Sequence, residues 1–370
     1  MVAIRNAHLN KAEKFNPQRW IVNLGITNQP SRERLAKTCV FCQKQTLNHP
    51  DADLLLYRSV EMVEILSMLN MDVDTLRAAM LFPLIECGLL NEELLKEFIG
   101  QEVVTLIHGV QSIASIRQLK ATHIVDDWQL NNFRRILLAI AMVDDFRCVV
   151  IKLAERVAHL REVKNASKGE YMLVAEECSN IYAPLANRLG IGQLKWELED
   201  YCFRYLHPVE YKRIAKLLHE RRIDREYYID EFVRDLRTAM RKAGVKVEVY
   251  GRPKHIYSIW RKMQKKNLTF DELFDVRAVR IVAERLQDCY MALGIVHTHY
   301  PQLPDEFDDY IANPKPNGYQ SIHTVVLGPG GKIVEIQIRT KKMHKNAELG
   351  IAAHWKYKEG AGCSHENGTA

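Results

Sequence analysis

Val245-Lys-Val-Glu-Val-Tyr-Gly-Arg-Pro-Lys-His-Ile-Tyr-Ser-Ile-Trp-Arg-Lys-Met263 changes its periodicity partway along. Val245 to Tyr250 alternates apolar and polar residues, the period of a strand with one buried face. Beyond Gly251 the spacing lengthens. Ile256, Ile259, Trp260 and Met263 recur at helical intervals, and Lys254, Ser258, Lys262 and Lys266 stand four apart on the opposing stripe. Pro253 suits a first helical position, so a helix over 253–266 is expected. At 1.5 Å rise per residue, neighbours in the basic stripe lie about 6 Å apart, a spacing that suits successive phosphates. The helix start would add free N–H groups and partial positive charge. A solvated amphipathic helix carries the same lysine pattern. Neither GxxxxGK[ST] nor GxGxxG occurs in the chain, so phosphate held here must be held by side chains.

The window also accounts for the charge of the chain. The 370 residues carry a net +6, yet Arg241 to Lys266 alone holds nine Lys/Arg against Glu248, leaving the remainder slightly acidic. Apolar residues at 47% and charged residues at 26% are those of a globular chain and exclude wholesale disorder. No apolar run approaches the roughly 18–20 residues of a membrane span, and Met1 to Phe15 has no apolar segment of a secretory signal. The expected compartment is the cytoplasm, with no membrane partner. Cysteines are scattered; only Cys39 and Cys42 form a CxxC pair, with no second pair at zinc-ribbon spacing.

Upstream of the window the sequence reads as helix. Leu54 to Leu69 has helical apolar spacing, Asp74 is the expected cap of the next helix, and the pattern continues through Asn131–Arg161, Tyr182–Tyr205 and Glu210–Met240. Downstream, Val276–Val282, Ser321–Leu327 and Ile333–Arg339 are strand-like, the last two joined by Gly328-Pro-Gly-Gly331. Helical patterns intervene at Glu284–Thr298, and another closes the region near Lys342–Lys356. The reading is an α+β multidomain chain. It has an all-α region over 1–195, connecting helices over 196–242, an α/β region with a mixed sheet over 243–358, and a loose polar tail over 359–370.

A phosphate site of this kind calls for a metal and carboxylates to hold it. Asp275 stands just before a strand. In Val334-Glu-Ile-Gln-Ile-Arg339, Glu335, Gln337 and Arg339 face opposite to Val334, Ile336 and Ile338. Alternation alone would fit a solvated face; pairing with Asp275 points to Mg²⁺. Between these segments, Asn313-Pro-Lys-Pro-Asn-Gly-Tyr-Gln-Ser-Ile-His323 is a shaped loop presenting Lys315, Asn317, Tyr319 and His323. It could stack and hydrogen-bond a base, or its Tyr could simply plug the core.

Four segments in order, Gly251-Arg-Pro-Lys-His-Ile-Tyr-Ser258, Phe274-Asp-Val-Arg-Ala-Val-Arg280, the 313–323 loop and Val334-Glu-Ile-Gln-Ile-Arg-Thr340, closely resemble the RelA/SpoT family of (p)ppGpp synthetases. The resemblance spans about residues 20–357. It implies a nucleotidyltransferase-like sheet and pyrophosphoryl transfer from ATP to the 3′-OH of GTP or GDP. By the same resemblance Arg252 and Arg280 contact the adenine, and Lys254, Ser258 and Lys262 hold phosphates. Asp275 and Glu335 bind Mg²⁺ or activate the 3′-OH. Tyr319 stacks on guanine, with Lys315, Asn317, His323 and Gln337 around that nucleotide. Such chemistry asks for charge neutralisation more than covalent catalysis.

The helical half resembles the family's metal-dependent HD hydrolase domain, with departures at the metal positions. Aligned to HDxxED, Phe82 falls at the His and Pro83 at the Asp; Arg58 replaces the first metal His, and Glu155 stands for an Asp. Phe, Pro and Arg are not ligands for Mn²⁺. A hydrolase-shaped domain without hydrolysis, bracing or regulating the synthetase, is therefore expected. Asp305-Glu-Phe-Asp-Asp309 is acidic where bifunctional members carry RFKD, which by resemblance marks a synthesis-only member. Long family members continue into C-terminal domains that contact the ribosome, so that partner is expected only for a longer form. A nucleotide sensor and an RNA-binding module are the competing classes. The carboxylate pair argues against a mere sensor. The basic stripe lacks the interleaved aromatics of a strand-binding surface, so direct nucleic-acid binding is not expected.

Overall fold

The computed structural model describes residues 16–90, 95–96, 98–118, 145–220, 222–252, 254–270 and 277–350. It divides into two compact units between Ala186 and Asn187. The expected tail, Asp275, Pro253 and the Asn131–Asp144 part of the expected helix lie outside the described residues.

The first unit is helical among its described residues: α1 (Pro17–Asn23), α2 (Gln29–Thr46), α3 (Ala52–Met68), α4 (Val73–Glu86), α5 (Gln101–Gln118), α6 (Phe146–Glu162) and α7 (Lys168–Glu177), followed by a π-turn at Cys178–Tyr182 and by α8 (Ala183–Arg188). Helix α4 starts one turn position earlier than the sequence suggested. Asp72, not Asp74, is the cap: its side chain accepts from the N–H groups of Asp74 and Thr75 at 3.0 Å. Asp74 instead pairs with Arg77 at 3.0 Å and Arg34 at 2.5 Å. Helix α6 is buried on all sides over most of its length, including Lys152, Glu155 and Arg156. That is unusual for charged residues unless they are paired. Cys39 and Cys42 are buried on α2, and burial pushes the Cys39 thiol up to about 12, which makes both inert rather than ligating or redox-active.

The second unit carries α9 (Gly192–Leu206), α10 (Pro208–Glu220), α11 (Arg222–Lys242), β1 (Val247–Gly251), α12 (Ile256–Lys266), β2 (Ala278–Ala283), α13 (Leu286–His299), β3 (Asp308–Asp309), β4 (Ile322–Leu327), β5 (Ile333–Thr340) and α14 (Lys341–Leu349). The helices read from sequence as a connector over 196–242 therefore fall inside this unit. The physical reason is burial: Phe232, Val233, Leu236 and Met240 of α11 join the core of the sheet, and Ile214 of α10 and Phe203 of α9 pack with Ile259 and Met263 of α12.

The sheet has the order β1-β2-β5-β4-β3, with β2 and β5 parallel and the other pairs antiparallel. One face carries Val279, Ile281, Ile336, Ile338, Ile322 and Val326 and is covered by α13 and α11. Period-two alternation then leaves the polar residues on the opposite face. The open edge of β1 is tied to α11, since Arg237 donates from Nε and Nη2 to the Val249 carbonyl at 2.9 and 2.6 Å.

Candidate active site on the polar face of the sheet

Strand register assembles the site. Pairing places Tyr250 beside Arg280, Arg280 beside Gln337, Gln337 beside His323, and His323 beside Asp308. One step along, Glu335 lies between Ala278 and Val325, and Arg252 continues the β1 ladder by donating its N–H to the Ala278 carbonyl at 2.8 Å. Segments distant in sequence thus contribute to one row of polar side chains.

At the centre Lys254 Nζ lies 3.1 Å from Glu335 Oε2, while Gln337 Nε2 donates to Glu335 Oε1 at 2.9 Å. Burial opposes ionisation of Glu335, but Lys254 and Arg252 outweigh it and hold the carboxyl well below the usual range. Burial lowers Lys254 and Arg252 as well, with Glu335 acting the other way on both. Arg280 and Arg339 share one carboxylate: Nη1 of the first and Nη2 of the second each lie 3.3 Å from Glu348 Oε1. His344 Nδ1 meets Arg339 Nη2 at 2.8 Å. Arg339 is only 1% exposed, and burial with the neighbouring Arg280 brings it down to about 10.

On the other side of Glu335, the hydroxyl of Tyr319 is 2.8 Å from His323 Nε2. Lys315 Nζ lies 4.3 Å above the Tyr310 ring and 5.4 Å above Tyr319. The loop turns on Gly318, whose φ of +76° a side chain would strain, and closes with Gly318 N–H donating to Lys315 O at 2.8 Å. Asn317 braces it, donating to the Asn187 carbonyl at 2.9 Å and accepting from Tyr319 N–H at 3.2 Å. Tyr319 is half-buried with one face toward Lys315, so it is not a core plug. Burial lowers His323 to about 4, so it is neutral at pH 7.

Two expectations for the basic helix need correction. Helix α12 begins at Ile256, with His255 extended at φ −70°, ψ 141°. Lys254 is therefore not on the helical stripe; it extends to Glu335 instead. Nor is the helix start wholly free for phosphate, since the N–H of Tyr257 donates to Asp200 Oδ1 of α9 at 2.9 Å. Ser258 is half-buried in the first turn, and Lys262 Nζ stands 3.9 Å from Glu306 Oε2, which brings the acidic 305–309 stretch against the basic helix. The side chain of Lys266 lies outside the described residues.

Sequence reading missed Trp196, Asp200, His344 and Glu348. His344 and Glu348 stand four apart on α14, a spacing that signals a shared helix face but no particular chemistry.

In the helical unit the positions aligned to metal ligands are filled otherwise. Arg58 makes a two-pronged ion pair with Glu162, both contacts at 2.8 Å. Phe82 and Pro83 are buried within α4. Lys152 Nζ lies 5.4 Å from the Phe82 ring centre and 2.9 Å from Glu155 Oε2. Arg156 Nε donates to Glu155 at 2.6 Å, and its Nη1 pairs with Glu177 at 3.4 Å. Burial resists ionisation of Glu155, yet Arg156 and Lys152 drive its carboxyl far below the normal range. Among the described residues no group of three or more His, Cys, Asp or Glu is placed to hold a metal.

Along the chain, a helical unit is thus followed by a mixed sheet with one charged face. A model for a region found in RelA/SpoT proteins matches residues 251–362, and a model for an HD domain matches 36–192. The chain belongs to the RelA/SpoT family. It is 75% identical over 363 residues to the GTP pyrophosphokinase of Escherichia coli (strain K12), covering 98% of this chain and 48% of that protein. It is 42% identical over 311 residues to a Synechocystis sp. protein named as a probable guanosine-3′,5′-bis(diphosphate) 3′-pyrophosphohydrolase, covering 84% of this chain and 40% of the relative. The small alarmone synthetase 1 of Bacillus subtilis, solved with its product pppGpp, aligns at 23% identity and a TM-score of 0.31, covering 40% of this chain and 82% of that one. The chain spans about half the length of the curated relatives it matches.

Proposed function

We propose that this chain transfers a pyrophosphoryl group from ATP to the 3′-OH of GTP or GDP, giving AMP and pppGpp or ppGpp. The observation that carries the reading is the strand row. It puts an ionised, buried Glu335 between a cluster of cations (Arg252, Lys254, Arg280) and an aromatic wall (Tyr319 with His323). The 3′ oxygen attacks the β-phosphorus of ATP. The bond from that phosphorus to the α–β bridging oxygen breaks, and AMP leaves with the oxygen. The hydroxyl proton passes to the Glu335 carboxylate once Lys254 has turned from it to the phosphates, and from there to water. Lys254 turns from Glu335 to the phosphates, joined by Lys262 and Ser258. Arg252 and Arg280 take the adenine side, and Tyr319, Lys315, Asn317, His323 and Gln337 take the guanosine side. A preset cluster of cations lowers the barrier because it need not reorganise as charge moves to the leaving group.

A divalent ion fits this donor set. Mg²⁺ is commonly held by one or two carboxylates together with substrate phosphates, and Glu335 is an ionised oxygen donor on the polar face of the sheet. Asp275 is the second carboxylate under this reading. Bound there, Mg²⁺ would neutralise charge on the transferred phosphates.

The test is product analysis. Purified chain with ATP, GTP and Mg²⁺ is expected to form AMP and pppGpp in equal amounts. Binding of both nucleotides without products would identify a sensor instead. With Mn²⁺ and ppGpp we expect no pyrophosphate release, because Arg58, Phe82, Pro83 and Glu155 offer one carboxylate, and that one is closed by Lys152 and Arg156. Clear release would overturn the reading of the helical unit. Ribosome contact is assigned to longer forms with further domains and a cytoplasmic location to this chain; no helix among the described residues is long and apolar enough to cross a membrane.

A further inference from the structure

Four contacts from one helix converge on the segment that carries Arg252 and Lys254. The Trp196 indole of α9 stacks on the His255 ring with centroids 5.0 Å apart and planes 26° from parallel. The Arg252 guanidinium carbon lies 5.5 Å from the centre of the same indole. One turn along α9, Asp200 accepts the N–H of Tyr257 at 2.9 Å, and its Oδ2 lies 3.4 Å from His255 Nδ1. His255 occupies the cap position of α12 but makes no side-chain cap bond of its own. Asp200, which is 8% exposed, therefore caps α12 from a different helix.

The start of α9, one turn before Trp196, is held by close packing. A Cβ on Gly192 would come 2.3 Å from the Ala347 carbonyl oxygen, so α9 and α14 meet backbone to backbone there. Helix α14 bears His344 and Glu348, which engage Arg339 and Arg280. One helix thus abuts both banks of arginines around the site. Arg252 cannot be held by hydrogen bonds alone without spending the donors a ligand would need. A flat aromatic behind the guanidinium restrains it through its face and leaves its edge N–H groups available.

We propose that α9 is a positioning element for the ATP side of the site, with Trp196 as the platform that orients Arg252 and His255 and Asp200 as the cap that fixes the start of α12. This rests on the reading of Arg252 as an ATP ligand. Trp196 touches no substrate; it acts through Arg252.

The test compares Trp196→Leu, Trp196→Phe and the unaltered full chain by steady-state transfer and by calorimetric titration with a non-hydrolysable ATP analogue. Trp196→Leu is expected to raise KM for ATP and the analogue Kd about tenfold, the scale of a buried cation–π contact, with KM for GTP and kcat within about twofold. Trp196→Phe, which keeps a ring, is expected to recover most of the loss. Unchanged ATP affinity in Trp196→Leu would overturn the proposal. So would a parallel rise in both KM values with a lowered Tm and no rescue by Phe, which marks a merely structural residue. If the unaltered chain binds the analogue but makes no product, the transfer reading fails while the titrations still decide the role of Trp196.

Discussion

In the helical unit Lys152, Glu155 and Arg156 are buried against one another, with Arg58 closed by Glu162 and Arg156 extended to Glu177. In the sheet unit Arg252, Lys254, Arg280 and Arg339 gather around Glu335 and Glu348, so among the described residues the cations outnumber the carboxylates. The first network is balanced within itself. In the second, the described cations exceed the described carboxylates, beside a hydrogen-bonding aromatic wall. Buried charge is costly unless matched, so a standing surplus of one sign in a fold signals a ligand of the other sign. The two charged clusters can thus be told apart by whether their charges are already matched.

The sharpest way to break this contrast is Glu335→Gln, which keeps shape and removes the charge. Transfer should fall by about three orders of magnitude, on the scale of losing a preset electrostatic group, while circular dichroism stays that of the unaltered chain. A rate within tenfold of the unaltered chain would remove Glu335 from the chemistry. The converse change is Lys152→Met in the balanced network. Leaving Glu155 short of a partner should cost about 3–5 kcal/mol in urea denaturation, with turnover per folded molecule unaltered. Lost turnover at intact stability would mean that the helical network takes part in the reaction.

Acid should act on both units. Burial first, and then neighbouring guanidinium groups, lower His159 to about 4; burial likewise brings His323 to about 4, with Lys315 and Arg252 adding to it against the pull of Glu335. An unfolded histidine titrates near 6.5, so between about pH 6.5 and 4 the unfolded chain binds more protons than the folded one. Unfolding free energy should therefore fall as pH drops through that window, by about 1–3 kcal/mol per histidine, and level off above it. Urea midpoints for His159→Gln and His323→Gln across pH 4.5–7.5 should each show a shallower slope; slopes equal to that of the unaltered chain would contradict burial of the neutral ring. The smallest effect is expected at Tyr319→Leu, with KM for GTP up about tenfold and KM for ATP little changed, since stacking on a base is worth about 1–3 kcal/mol. Equal rises in both would remove Tyr319 from the guanosine side.

Much of the fold was legible because strand and helix periods differ and the chain keeps each cleanly. The 322–327 and 333–340 strands lie within a residue or so of their sequence limits, and the alternation of Val334 to Arg339 assigned its faces correctly. The start of α12 was misplaced because propensity favours a helix from Pro253, while the ladder bond from Arg252 to Ala278 and the extended His255 keep the chain open longer. The motif residues Lys254, Glu335 and Gln337 meet on one face of the sheet, with Tyr319 and His323 paired there too; residues that act through tertiary packing carry no such signature. Trp196 and Asp200 look in sequence like an ordinary core aromatic and an ordinary helical acid. Their partners lie some sixty residues away and become neighbours only when α9 packs on α12. The pairing of Lys254 with Glu335 was equally invisible, because spacing had placed that lysine on a helix.

The guanidinium of Arg237 has a consequence for the life of this protein in a crowded solution. An outermost strand is an invitation for a second molecule to add itself as another rung, and from there to aggregation. Here the Val249 carbonyl, which faces outward, is already claimed by a cation from the chain's own helix. An incoming strand would have to displace that contact and bury a positive charge in the process. On the β1 edge that carbonyl is thereby withheld from a strand of another copy, so the side of the sheet next to Arg252 offers one rung fewer to a neighbour.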